Sequence, residues 1–241
     1  MEIRKLARYI LIHGAWSGSW VWEKVVPMLQ KRGHEVEAID LPKYEDVFNE
    51  DITLQTYVDK VCENIDHIPE SVILVGHSMA GAVITQVAEL RPKKVKSLVY
   101  VAAFLIRNNE SISNISDKDT TSLVSESLVP FPNEGYGVIK PELAEDTFYG
   151  NCTKEDAEMA KSRMVKQPLS PLNAPVQTTA ENFGSVPRYY IECLQDKTIT
   201  IEYQQMMYTN LPCEKVFTLD TDHSPFLSKP KELTSILDSI S

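Results

Sequence analysis

The chain has 241 residues, of which 43% are hydrophobic, a length and composition that suit one α/β domain around a single core. Its net charge of −10 disfavours nucleic acids and anionic membranes as partners, and no run approaches the ~20 apolar residues that span a bilayer. The first residues lack the apolar run of a signal peptide. The four cysteines (Cys62, Cys152, Cys193 and Cys213) are far apart, which predicts free thiols in a reducing cytoplasm.

Strands and helices alternate over the first hundred residues. Short apolar runs at residues 9–13, 36–39, 72–75 and 97–104 predict buried strands. The intervening stretches have helical spacing of apolar residues; Pro27 fits the first turn of one helix, Gly33 its C-terminal cap, and Thr53 the N-cap of the next. This alternation predicts right-handed crossovers and a mostly parallel, doubly wound sheet that is covered on both faces.

The alternation stops after residue 104 and resumes at residue 188. Residues 105–187 contain no buried-type strand; they are rich in serine, asparagine and proline, with a helix predicted near Thr153. Strands at 188–192 and 215–219 and a final helix follow. So long an excursion predicts an inserted cap, 105–187, on a core formed by 1–104 and 188–241, all within a single domain.

Ser78 is the predicted nucleophile. The run Val72-Ile-Leu-Val75 leads directly into Gly76-His-Ser-Met-Ala80 and then into a helical pattern, so the serine lies on a sharp turn between strand and helix. Gly76 and Ala80 leave room where the strand and the helix nearly touch. An ordinary glycine-serine turn is the alternative interpretation of this motif alone.

A serine at its usual pKa is a poor nucleophile, so a base is required. Functional groups of an open parallel sheet gather beyond the carboxyl ends of its strands, and His223 directly follows the last strand. The other histidines fit this role less well. His34 and His67 are predicted at the surface, His77 points away from the site, and His13 shapes the turn after the first strand.

The acid that orients His223 has two candidates. Asp196 follows the preceding strand, whereas Asp222 adjoins His223, and neighbouring residues on an extended segment point apart. The order Ser78, Asp196, His223 is also the order used by hydrolases with a serine on such a turn. The sequence therefore favours Asp196. An oxyanion hole is predicted from the Met79 amide and the Ala15 amide, where Gly14 lets the backbone approach closely.

Together these motifs resemble the α/β-hydrolase superfamily, in particular its branch of methyl esterases, hydroxynitrile lyases and related carboxylesterases. The resemblance covers nearly the whole chain. It rests on residues 13–20, 33–36, 40–42, 76–81, 190–196 and 222–227, with 149–156 in the predicted cap. It implies acyl hydrolysis without a cofactor or metal, Ser78, Asp196 and His223 as the triad, and Ala15 and Met79 as oxyanion donors. Dimers are common in this branch, so the resemblance allows a homodimer.

Two departures separate this chain from the lyases of that branch. They have threonine at the position of Gly14 and lysine directly after the catalytic histidine, where this chain has Ser224. Without that cation, lyase chemistry loses a main electrostatic contribution. We therefore expect an esterase acting on small to medium, largely apolar esters, with Trp16 and Phe104 as the pocket floor. A lyase, or a small-ligand receptor that carries a triad, remains the alternative.

Overall fold

The structure is a computed structural model that describes residues 6–46 and 52–241. In this part the strands are β1 Arg8–Ile12, β2 Glu35–Ile39, β3 Val72–His77, β4 Val95–Val101, β5 Leu128–Phe131, β6 Tyr136–Ile139, β7 Gln167–Pro168, β8 Arg188–Cys193 and β9 Lys215–Leu219. The α-helices are α1 Val25–Lys31, α2 Leu54–Asp66, α3 Ala80–Leu90, α4 Ile112–Ser116, α5 Val124–Ser127, α6 Pro141–Phe148, α7 Lys154–Ser162, α8 Ser170–Asn173, α9 Ile201–Asn210, α10 Pro225–Ser228 and α11 Pro230–Ile240.

Six strands form the main sheet in the order β2-β1-β3-β4-β8-β9, and every neighbouring pair is parallel. Alternate residues of each strand point to opposite faces. In β1, Ile10 and Ile12 join a core with α2 and α3, whereas Tyr9 and Leu11 join a core with α1 and α11. Because both faces are buried, the strands are continuous apolar runs, and the predicted parallel, doubly wound sheet is confirmed.

The helix-end signals in the sequence are also confirmed. Pro27 lies in the first turn of α1, and Gly33 follows its end with φ of 96°. The Gly33 and His34 amides bond the carbonyls of Gln30 and Leu29, which is a Schellman ending. Thr53 caps α2 by accepting a hydrogen bond from the Thr56 amide at 3.2 Å.

The prediction of a surface position for His34 is wrong. Its side chain is 3% exposed, and its Nε2 lies 2.8 Å from Oδ1 of Asp238 on α11. The Ala7 amide donates to its Nδ1 at 3.3 Å. The last helix packs against α1 and covers this histidine, a contact between residues 204 positions apart that no local pattern reveals.

The segment between β4 and β8 contains strands that the sequence did not indicate. β5, β6 and β7 form a small antiparallel sheet in the order β5-β6-β7, surrounded by α4 to α8. Pro130 and Pro168 lie within these strands, and most side chains of β5 and half of those of β6 are only half-buried. Short strands with these features lack the apolar runs that predicted the main sheet.

The site lies where the sheet changes winding direction. β1 and β3 are neighbours, but the chain leaves β1 towards β2 on one side and leaves β3 towards β4 on the other. Their following loops therefore diverge and open a crevice at the carboxyl edge of the sheet.

All four cysteines are free thiols. Among the helices of the described residues, none is long and apolar enough to cross a membrane.

Candidate active site

Ser78 lies on the turn between β3 and α3 with φ of 53°, the left-handed region that side chains rarely adopt. Its carbonyl accepts from the amides of Gly81 at 3.0 Å and Phe104 at 3.1 Å. A Cβ on Gly76 would lie 2.8 Å from the Ala80 carbonyl oxygen, so the room predicted at Gly76 is required. Gly81 is under a tighter constraint, because a Cβ there would overlap the Phe104 backbone.

Asp196 and His223 form a buried pair beyond the ends of β8 and β9. The His223 Nδ1 donates to Asp196 Oδ2 at 2.7 Å, and their side chains are 2% and 0% exposed. The other carboxylate oxygen accepts from the amides of Thr198 at 2.7 Å and Ile199 at 3.0 Å, and Gln204 donates to Oδ2 at 3.0 Å. Burial raises the pKa of Asp196, while the imidazole and the two amides oppose that rise. The carboxylate is thereby fixed in one orientation towards the imidazole.

Asp222 faces away from the imidazole ring. Its Oδ1 accepts from the Ser224 amide at 3.1 Å and the Ser228 hydroxyl at 3.0 Å, and its Oδ2 accepts from the Asn151 amide at 2.8 Å. These bonds hold the turn that carries His223. The rival aspartate thus shapes the loop, and the structure brings Asp196 to the ring.

Ser78 and His223 border the same small recess, which has a volume of about 20 Å³. Within the part of the chain that the structure describes, no hydrogen bond joins the Ser78 hydroxyl to the imidazole Nε2. Such bonds are often long in the absence of substrate and tighten when it binds.

Two backbone amides face the same region without partners. Among residues 6–46 and 52–241, nothing accepts a hydrogen bond from the Ala15 amide or from the Met79 amide. Gly14 brings the loop after β1 against Ser78, since a Cβ at Gly14 would lie 2.8 Å from both Ser78 Cβ and His77 Nδ1. Both amides are therefore available to an anionic oxygen.

His13 and His77 are buried and support the loops around the site. His13 donates from Nδ1 to the Gly14 carbonyl at 2.8 Å and accepts from the Leu41 amide at 3.1 Å, which agrees with its predicted structural use. His77 donates from Nε2 to the His223 carbonyl at 2.8 Å and so joins the Ser78 turn to the loop that carries His223. Local sequence patterns could not predict that bond, because its two residues lie 146 positions apart.

Because His13 and His77 are buried, we expect the free energy of unfolding to decrease in mild acid. Burial lowers the pKa of His13, and burial together with nearby His223 holds the pKa of His77 well below its ordinary value. The unfolded chain takes up these protons below about pH 6.5, whereas the folded protein does so only at lower pH. The free energy of unfolding is therefore fully present above pH ~6.5. We expect it to fall between pH 7 and 5.5, by at most about 1 kcal/mol for each histidine that stays neutral in the folded protein.

Urea denaturation across this pH range measures the effect. His77→Gln should flatten the dependence on pH, whereas His67→Gln, which changes an exposed side chain, should leave it unchanged. An equally steep curve for His77→Gln would contradict the assignment of this effect to His77.

A larger chamber of about 210 Å³ opens on the other side of Ser78. Ala15, Trp16 and Ser78 line both cavities, whereas His223 lines only the small recess. Phe104 lines the large chamber, together with apolar residues of α4, α5, β5 and α8.

In the described residues no group of three or more histidine, cysteine, aspartate or glutamate side chains could hold a metal ion.

Comparison with known proteins places this geometry in a family. The model of the "Alpha/beta hydrolase family" matches residues 9–236. The chain belongs to this family. This hydrolase is 32% identical to Methylesterase 9 of Arabidopsis thaliana over 95% of each chain. It is 31% identical to the putative chloroplastic methylesterase 11 of the same plant, of which it spans only 62%. A crystal structure of a pyrethroid hydrolase from Sphingobium faniae JZ-2 superposes with a TM-score of 0.89, at 25% identity over 98% of this chain and 97% of that one.

The hydrolase also has a site aromatic residue that the sequence did not single out. Phe148, at the end of α6, lies 5.9 Å from the His223 ring and 6.0 Å from the Trp16 ring, measured between ring centroids. It contributes to the wall of the small recess. Phe148 does not follow a strand of the main sheet, so the search for functional residues at strand ends could not identify it.

Proposed function

We propose that this hydrolase cleaves carboxylic esters through an acyl-enzyme on Ser78. His223 takes the proton of the Ser78 hydroxyl, whose oxygen attacks the ester carbonyl carbon. The carbonyl oxygen gains the negative charge and accepts hydrogen bonds from the Ala15 and Met79 amides. His223 then gives its proton to the leaving alkoxide. Water repeats the same steps on the acyl-enzyme and releases the carboxylic acid and the free serine, while Asp196 stabilises the imidazolium throughout.

The observation that carries the substrate proposal is the unequal size of the two cavities that meet at Ser78. The leaving alcohol must lie beside His223, because this residue protonates it. His223 lines only the recess of about 20 Å³, and a cavity of ~10–15 Å³ already accommodates one water molecule. The recess therefore suits a methyl alcohol group, whereas the 210 Å³ chamber suits an apolar acyl group. The similarity to proteins named methylesterases supports this orientation.

A panel of esters tests this orientation. At constant methyl alcohol, kcat/KM should rise about fourfold for each added acyl CH₂, the equivalent of ~0.8 kcal/mol, until the chamber is full. At constant hexanoyl acid, butyl ester should fall at least about tenfold below methyl ester. Methyl, ethyl and butyl alcohols have similar leaving-group pKa values, so the difference reports size. A preference for large alcohols over large acyl groups would reverse the proposed orientation.

Two features of the site support an esterase over a hydroxynitrile lyase. Ser224 is buried directly after the base and brings no cation to it. The backbone at Gly14 leaves no room for the lyase threonine, because a Cβ already meets His77 and Ser78 at 2.8 Å. Cyanide release from mandelonitrile, at a rate rivalling ester hydrolysis, would contradict this choice. A burst of p-nitrophenol from p-nitrophenyl acetate that is abolished in Ser78→Ala separates an esterase from a receptor, for which no such burst is expected.

We further propose that residues 105–187 act as a cap within a single-domain enzyme whose core is 1–104 and 188–241. In support, α4, α5 and α8 of this segment line the chamber through Ile112, Val124 and Leu172. These residues enclose the acyl group and would determine which acids are accepted.

A further inference from the structure

Trp16 directly follows the oxyanion donor Ala15 and has an unusual backbone conformation. Its φ is 56°, in the left-handed region that bulky residues rarely occupy. Such a conformation has an energetic cost and persists only where surrounding contacts determine it. Trp16 is 6% exposed, so these contacts lie within the protein.

The hydrogen bonds that hold Trp16 all come from the 105–187 segment. Its carbonyl accepts from the Val165 amide at 3.1 Å, and its indole Nε1 donates to the Gly137 carbonyl at 3.1 Å. Its amide donates to Gln167 Oε1 at 3.4 Å. Gly137 lies on β6 and Gln167 on β7, so the small sheet that the sequence did not predict is the support for this loop.

Gln167 is itself buried and fixed. It is 4% exposed, and its Nε2 donates to the Tyr57 hydroxyl of α2 at 3.2 Å and to the Pro168 carbonyl at 2.9 Å. Its amide oxygen is thereby directed at the Trp16 backbone. The loop with Ala15 is clamped between the small sheet and the main core.

We infer that Trp16 is a positioning residue through which the 105–187 segment sets the oxyanion hole. The inference rests on the ester hydrolysis proposed above. Relaxation of the Trp16 backbone would move the adjacent Ala15 amide, since the two residues share one tight turn. A movement of the small sheet away from the core would therefore remove one oxyanion donor as well as uncover the chamber.

The test compares Trp16→Phe with Trp22→Phe. The first loses the indole donor to Gly137. The second is a matched control, because the buried Trp22 Nε1 has no hydrogen-bond partner among the described residues. Two inhibitors measure the strength of the oxyanion hole. The carbonyl carbon of hexyl trifluoromethyl ketone is attacked by the Ser78 oxygen and forms an anionic hemiketal. Hexyl methyl ketone occupies the same chamber without forming this covalent adduct. The ratio of their inhibition constants therefore measures stabilisation of the oxyanion.

Although Trp16 also lines both cavities and its truncation can alter KM, we expect Trp16→Phe to lower kcat for methyl hexanoate at least about tenfold and to reduce the inhibitor ratio by a similar factor. Trp22→Phe should leave both within about twofold. If Trp16→Phe does not fold, Gln167→Met, which removes the acceptor for the Trp16 amide, should reduce the same ratio. A purely structural role would lower the melting temperature and leave the ratio unchanged, which would overturn the inference. Absence of Ser78-dependent hydrolysis in the unmodified enzyme would instead refute the proposed function.

Discussion

Ser78→Ala and His223→Ala are each expected to lower kcat for methyl hexanoate by roughly 10⁵–10⁶-fold. Either change removes a group without which the serine oxygen cannot attack. Asp196→Asn should cost about 10⁴-fold, because the amide cannot hold the imidazole in the tautomer that receives the serine proton. The Asp196 carboxylate lies 2.7 Å from His223 Nδ1, so this substitution acts directly on the ring. Initial rates of acid release measure all three variants.

Asp222→Asn is the matched control for this prediction. It makes the same chemical change on the residue next to His223. The new amide oxygen can still accept from Ser224 and Ser228, and the bond from the Asn151 amide is lost. Its loss in kcat should stay below about tenfold. If Asp222→Asn proved the more damaging of the two aspartate substitutions, the assignment of Asp196 as the orienting acid would be wrong.

Gly14→Ala should lower kcat by about 10²–10³-fold, the loss that follows removal of one oxyanion donor. The new Cβ would meet Ser78 Cβ and His77 Nδ1 at 2.8 Å, and both neighbours belong to a buried turn that cannot give way. The Gly14 loop must therefore retreat, and the Ala15 amide moves with it. KM should change little, because the amide acts on charge that develops after binding.

Gly150→Ala is the control for the glycine substitution. A Cβ there meets nothing within 4 Å, so activity and stability should stay close to those of the unmodified enzyme. Equal rates for Gly14→Ala and Gly150→Ala would show that the first loop does not supply an oxyanion donor.

The sequence predicted the main sheet because its strands are buried on both faces. The runs that form β1 and β3 are largely apolar and buried, and the carboxyl ends of β3, β8 and β9 placed Ser78, Asp196 and His223 at one edge. The same reasoning missed β5 to β7, whose side chains are partly exposed and whose prolines are typical of loops.

The missed parts of the site are bonds between distant residues. His77 meets the carbonyl of His223, and Trp16 meets Gly137, each across more than a hundred positions. Local periodicity carries no information about such pairs. The order of the strands in the main sheet brings His77 to His223, whereas the packing of the 105–187 segment on the core brings Gly137 to Trp16.

Different parts of the 105–187 segment line the chamber and hold Trp16, which affects how the substrate specificity of this enzyme could change. The chamber is lined from α4, α5 and α8, whereas Trp16 is anchored from β6 and from the stretch that leads into β7. Exchange of the chamber-lining helices would change which acids are accepted and leave the anchors in place. Exchange of the whole segment would also replace the support of the Ala15 loop. New specificities are therefore best sought in libraries that vary α4, α5 and α8 and retain residues 136–139 and 165–168.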